Sequence, residues 1–150
     1  MLLTELLPAD RIRLPLKATE KQAVLKELVD FLAERSGGNA SDILTAVRER
    51  EAVLSTGIGF GIAIPHAKSP SVSTLSLVAG VSSVPVPFDA IDGEPVRLFF
   101  LLVGPDAAAG LHVKALSRIA RVARREQVRE ALLAAPDVES FVKIIAAAED

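Results

Sequence analysis

The sequence predicts a three-layer α/β domain. Three observations carry that reading. Stretches with apolar residues at helical spacing alternate with short apolar runs of strand length. One run, Val96 to Val103, is apolar throughout except at Arg97, as expected of a strand covered by helices on both faces. The chain has 150 residues, half of them apolar, which suits one domain over residues 1–150 with a sizeable core.

Composition narrows the function classes. Phe is present but Trp and Tyr are not, so the core is aliphatic and little is available to stack on nucleic-acid bases. Lys and Arg number 17 and Asp and Glu 19, a balance that argues against bulk binding to nucleic acid or an anionic membrane. Without cysteine there are no disulfides, thiolate metal sites or thiol nucleophiles. The start, Met1 to Glu5, has no basic segment and soon meets Pro8 and Asp10, unlike a signal peptide. The longest apolar runs are too short to cross a bilayer. A cytoplasmic protein without membrane insertion or nucleic-acid partner is expected.

In chain order, residues 1–18 read as irregular, with a short strand near Arg11 to Leu14. Thr19 to Gln22 reads as a capping box opening a helix, with Val24, Leu28, Phe31 and Leu32 on its buried face. Ser36-Gly37-Gly38-Asn39 ends that helix. Ser41 is expected to cap a second one, with Ile43, Leu44 and Val47 buried and Arg48 to Glu51 as its charged end. Ile62-Ala63-Ile64 is a short strand stopped by Pro65, which donates no hydrogen bond and holds its predecessor extended.

Ala67 to Ser71 reads as a polar turn and Leu75 to Val81 as a strand. Val84 to Phe88 holds two prolines and cannot be a central strand. Ile91 to Glu94 is a turn before the apolar strand. Gly104 to Gly110 is a loop. A long helix from about Leu111 to Arg124 then places His112, Leu116, Ile119 and Ala123 on one side. A shorter helix near Gln127 to Leu133 follows, and Asp137 caps a last one bearing Phe141 and Ile145.

Chemistry concentrates at Ser55-Thr56-Gly57-Ile58-Gly59-Phe60-Gly61-Ile62-Ala63-Ile64-Pro65-His66. Glycines allow positive φ and close backbone approach, and successive N–H groups in such a turn can cradle an anion. His66 arrives at the end of the strand, where scaffolds present reactive groups. An imidazole, with a pKa of about 6.5, is mostly neutral near pH 7 and is a plausible phosphoryl acceptor. The plainer alternatives are a loop histidine and hydroxyls at Ser55 and Thr56 that only shape a turn. His112 is either a core histidine or a hydrogen-bond donor at a helix N-terminus, where anions are favoured. Arg50 lies just upstream and suits a phosphate, while Glu51 either holds Arg50 or faces water. Lys114, Arg118, Arg121 and Arg125 form a stripe that is either solvated or a dock for an acidic surface. The two histidines with Asp92, Glu94 or Asp106 match no metal spacing, and no Gly-x-Ser-x-Gly elbow is present.

Arg50-Glu51 followed by STGIGFGIAIPH, together with Gly110 to Leu116, resembles the active-site segments of EIIA domains of the bacterial phosphoenolpyruvate-dependent phosphotransferase system, fructose/mannitol type, including the nitrogen-regulatory branch. The resemblance implies a mixed sheet of about five strands flanked by helices. It implies that His66 is phosphorylated, with His112 and Arg50 in support and Thr56, Gly57, Gly59 and Gly61 around the phosphate. It also implies a relay: phosphate arrives from phosphorylated HPr or its nitrogen-branch relative and passes to an EIIB component, expected to be a separate polypeptide. No nucleotide, metal or organic cofactor is expected in the transfer. The competing expectation is a regulatory module that binds a transporter or sensor kinase according to the state of His66. A remoter one is a family member that has lost transfer and binds an inorganic anion.

Overall fold

The apolar run after Pro95 becomes the middle of the molecule. In the computed structural model, which describes residues 1–149, the order is α1 (Leu3–Leu6), β1 (Ile12–Leu16), α2 (Lys21–Ser36), α3 (Ala40–Val53), β2 (Gly57–Gly59), β3 (Ile62–Ala63), β4 (His66–Lys68), β5 (Ser76–Val86), β6 (Val96–Gly104), α4 (Ala109–Arg124), α5 (Glu126–Ala134) and α6 (Val138–Glu149). The six strands form one mixed sheet, ordered β1-β5-β6-β3-β2, with β4 also on β6. β1 runs parallel to β5, β3 and β4 parallel to β6, and the β5–β6 and β2–β3 pairs are antiparallel.

Alternation along β6 separates two cores. Phe99, Leu101 and Val103 join the buried faces of α2 and α3. Leu98, Phe100 and Leu102 join α4, α5 and α6 on the other side. A strand with both faces apolar has no other stable setting, since each side chain buried contributes roughly 1.5–3 kcal/mol. The three layers expected from the sequence are present.

Local details depart from the sequence reading in instructive places. The cap of α2 is Glu20, not Thr19; its longer side chain folds back to accept from Gln22 N (3.2 Å) and Ala23 N (2.6 Å). The cap of α3 is Asn39, whose Oδ1 accepts from Asp42 N (3.0 Å), leaving Ser41 inside the helix. Gly37, at φ 76°, ends α2 as expected. Residues 1–18 carry a helical turn at Leu3–Leu6 besides the strand. α4 begins at Ala109, two residues before the expected Leu111. Asp137 caps α6, accepting from Ser140 N at 2.8 Å.

One proline expectation fails and the other holds, for one reason. Pro65 does not end the ladder: its carbonyl still accepts from Leu102 N (3.0 Å), and pairing with β6 resumes at once, so Ala67 lies in a strand and not in a turn. Pro85 lies within β5 but beyond the end of β1, in the irregular stretch between Val81 and Val86, so the proline-bearing segment has a neighbour on one side only and is not a central strand, as expected. Proline is excluded from a sheet only where its amide is required.

Phe99 is fully buried at the centre of the sheet. Phe99→Ala is expected to lower unfolding free energy by about 3–5 kcal/mol, read from urea denaturation.

Candidate functional site

His66 is aimed by strand pairing. β3 and β4 are two pieces of one interrupted strand, and Ile62, Ile64 and His66 share a face by alternation. The register sets Ile62 against Leu98 and His66 against Leu102, whose side chains face the α4 side of the sheet. His66 therefore points toward α4. There it meets His112, in the first turn of that helix, with the ring centroids 5.7 Å apart and the planes at 67°. Gly104 makes room for this: a Cβ there would stand 2.8 Å from Leu75 Cδ1 and 3.6 Å from His112 Nδ1.

The imidazoles differ in setting. The Nδ1 of half-buried His66 lies 2.9 Å from the carbonyl of Ile64. A carbonyl only accepts, so Nδ1 carries the hydrogen and, in the neutral ring, Nε2 bears the free lone pair. His112 is buried, and its Nδ1 has no hydrogen-bond partner among the described residues. Both rings are held below the ordinary histidine value. For His66 burial is the main cause, opposed by the bond to Ile64, helped by Arg50 and opposed by Glu51. For His112 burial leads again, followed by the charges of His66 and Lys68. Both are neutral bases at pH 7.

Arg50, near the C-terminus of α3, donates to the carbonyl of Leu54 (2.8 Å). It is shared by two clefts that meet at His66. One, of about 360 Å³, holds Arg50, His66, Lys68 and His112. The other, of about 610 Å³ and mainly apolar, holds Arg50, Thr56, Gly57 and His66 and has exposed Leu54, Ile91 and Val113 along its lining.

The structure thus gathers Arg50, Thr56, Gly57, His66 and His112, but it does not bring all the glycines there. Gly59 and Gly61 line neither cleft. They flank Phe60 in the β2–β3 hairpin, with φ of 94° at Gly59, 61° at Phe60 and 74° at Gly61, the positive values a two-residue hairpin turn requires. Nor do the loop amides form an open anion nest. Thr56 N donates to Glu51, Gly57 N to Ser55 Oγ and Phe60 N to Asp92. The Thr56 hydroxyl also donates to Glu51, at 2.5 Å. Gly57 serves a close approach: a Cβ there would lie 2.7 Å from Ala90 Cβ and 2.9 Å from its Cα.

Glu51 itself is a correction, because it is buried and neither faces water nor holds Arg50. It accepts from Thr56 and lies 3.3 Å from Lys21 Nζ. Sequence reasoning missed Lys21, which arrives from α2, thirty positions away, with no local signal. Of the basic stripe, Arg118 approaches Glu149 (3.9 Å) and Arg125 donates to the Ala148 carbonyl (3.0 Å), so half of it ties α4 to α6. Among the described residues no group of three or more His, Cys, Asp or Glu clusters as a metal site would require. No described helix is long and apolar enough to cross a membrane.

A mixed sheet between two helical layers, with paired histidines and an arginine where two clefts meet, defines a three-layer α/β domain with one candidate site at the edge of α4. The family model for the phosphoenolpyruvate-dependent sugar phosphotransferase system, EIIA 2, matches residues 5–148, and the chain belongs to that family of phosphoryl carriers. It is 34% identical over 146 residues to the nitrogen regulatory protein of Bradyrhizobium diazoefficiens, covering 97% of this chain and 95% of that one. It is 37% identical over 146 residues to the fructose-specific EIIABC component of Bacillus subtilis, covering 97% of this chain but 23% of that protein. The nitrogen regulatory protein IIA-Ntr of Neisseria meningitidis has the same fold, with a TM-score of 0.90, 32% identity and coverage of 95% and 98%.

Two outcomes follow from the geometry. Gly57→Ala is expected to cost about 1–3 kcal/mol in urea unfolding, because the added methyl meets the Ala90 backbone. For the histidines, a folded pKa below the unfolded value means that the unfolded chain takes up protons first as pH falls. Stability is therefore expected to drop below about pH 6.5. Comparison with a His66→Gln/His112→Asn double variant, whose loss over that window is smaller, checks it.

Proposed function

We propose that this protein carries a phosphoryl group on Nε2 of His66, accepting it from phosphorylated HPr or its nitrogen-branch relative and passing it to an EIIB component. The observation that carries this reading is the bond from Nδ1 to the Ile64 carbonyl, which leaves Nε2 as the free nucleophile. As the new P–N bond forms, the bond to the donor's imidazole breaks and its electron pair returns to that ring. The Nδ1 proton stays on His66, held by Ile64. The phosphorylated ring is then cationic, beside a phosphoryl dianion.

Arg50 and His112 are the groups read as holding phosphoryl oxygens. The guanidinium is permanently charged and bidentate. His112 is read as bearing its hydrogen on Nε2, since its Nδ1 has no acceptor. Thr56 and Gly57 form the wall of the cleft and do not grip the phosphate. Phosphoryl transfer asks for positioning and charge stabilisation, and this set is suited to both. Exposed Leu54, Ile91 and Val113 beside His66 suit brief docking of a partner protein that shields the transfer from water.

A second reading, binding to a transporter or sensor kinase governed by the state of His66, is favoured by the nitrogen regulatory proteins among the relatives. The fructose-specific relative favours the relay. Both readings start from phosphorylation of His66.

Mixing the protein with phosphorylated carrier is expected to add one acid-labile phosphate by intact mass, and His66→Ala to abolish the gain. Persistence of the gain in His66→Ala would refute the acceptor assignment. His112→Ala is expected to slow acceptance by about 10²-fold without abolishing it. The rate is expected to rise with pH through a midpoint below 6.5, the ordinary histidine value, as the imidazole loses its proton.

A further inference from the structure

We propose that Glu51, backed by Lys21, is a positioning residue that holds the His66 ring in its Nδ1–H form through Thr56 and Ile64. This rests on the phosphoryl-carrier reading for its consequence, but not for its geometry.

The links are continuous. Lys21 Nζ lies 3.3 Å from Glu51 Oε2 and donates to the Phe88 carbonyl at 3.1 Å, with its ammonium 4.7 Å from the Phe88 ring centre. Glu51 accepts from the Thr56 amide (2.8 Å) with one oxygen and from the Thr56 hydroxyl (2.5 Å) with the other. The Thr56 carbonyl accepts from Ile64 N (3.0 Å). The Ile64 carbonyl, in turn, takes the hydrogen of His66 Nδ1 (2.9 Å). The chain of bonds passes through whole residues and not through single amide groups, so it transmits position. Pro65 follows Ile64 and has no amide hydrogen, so that segment has fewer bonds of its own to fix the carbonyl. Thr56 supplies the missing restraint, and Glu51 fixes Thr56.

Stability alone does not account for the carboxylate. Its side chain is 3% exposed, so it is desolvated, and a buried ion pair adds little stability over an apolar pair of similar volume. What it supplies is two directed acceptors on one residue. Its negative charge also favours the cationic ring that phosphorylation of His66 creates. Groups that orient a reactive imidazole through its other nitrogen are known to matter for its reactivity.

The test uses the full chain and three variants. Glu51→Ala removes both acceptors. Glu51→Gln keeps both bonds, because its amide oxygen accepts from Thr56 N while its NH2 donates to Oγ1. Thr56→Val removes only the hydroxyl bond. Ring ¹⁵N NMR above the histidine titration reads the tautomer directly. Wild type and Glu51→Gln are expected to show His66 as Nδ1–H, and Glu51→Ala a mixture with Nε2–H. Acceptance of phosphate from the carrier is expected to fall about tenfold or more in Glu51→Ala, in kcat and not in KM, with substantial rescue by Glu51→Gln.

A folded Glu51→Ala with an unchanged tautomer and a rate within about twofold of wild type overturns the proposal. Should Glu51→Ala not fold, Thr56→Val decides: a shift toward Nε2–H supports the positioning chain, and an unchanged ring overturns it. If the wild type takes no phosphate, the carrier reading fails, while the NMR measurement still decides the positioning.

Discussion

The site depends on a strand that breaks and resumes against the same neighbour. Residues 62–63 and 66–68 both pair with β6, with Pro65 between them. Because the register survives the break, the alternation that buries Ile62 and Ile64 on the α4 side also sends His66 there. A slip of one residue would turn all three to the α2–α3 side, placing an imidazole in an apolar core that holds Phe31, Phe88 and Phe99. Hydrophobic burial thus aims the His66 ring, and the aim is as secure as the core itself.

Desolvation then sets the chemistry. Neither histidine is paired with a carboxylate that would draw it into the charged state. Burial depresses both, and the charge of His66 lowers His112 further. Two neutral imidazoles facing each other, with the cations Arg50 and Lys68 close by, make a site that favours an incoming anion over a proton. The carboxylate that is present, Glu51, is turned away to Thr56 and neutralised by Lys21. Its negative charge is thereby kept out of the clefts beside His66 while remaining near enough to act on the ring.

Much of this was legible in the residues. Val96 to Val103 announced the central strand because an almost wholly apolar run of that length has no exposed face. The buried faces of α2, α3 and α4 followed from spacing, and the segment from Arg50 to His66 marked the site through its glycines, its proline and its resemblance to a known family. Other features were misread because the partner was distant. Asn39 and Glu20 took the caps from equally plausible neighbours, Ser41 and Thr19. Glu51 looked like a charged helix end until Lys21 and Thr56 met it inside. The glycines looked like a phosphate cradle, yet Gly59 and Gly61 turn a hairpin and Gly57 clears space for Ala90.

The amino-acid sequence by itself determined the layers, the positions of most elements, and the segment from Arg50 to His66 as the candidate site, because period, composition and local stiffness are properties of neighbours along the chain. Only the tertiary structure decided that His66 and His112 face each other, that Nε2 of His66 is the free nitrogen, and that Lys21, Glu51 and Thr56 stand behind it. Those relations join residues from separate elements, and strand register and burial exist only once the sheet and helices have packed.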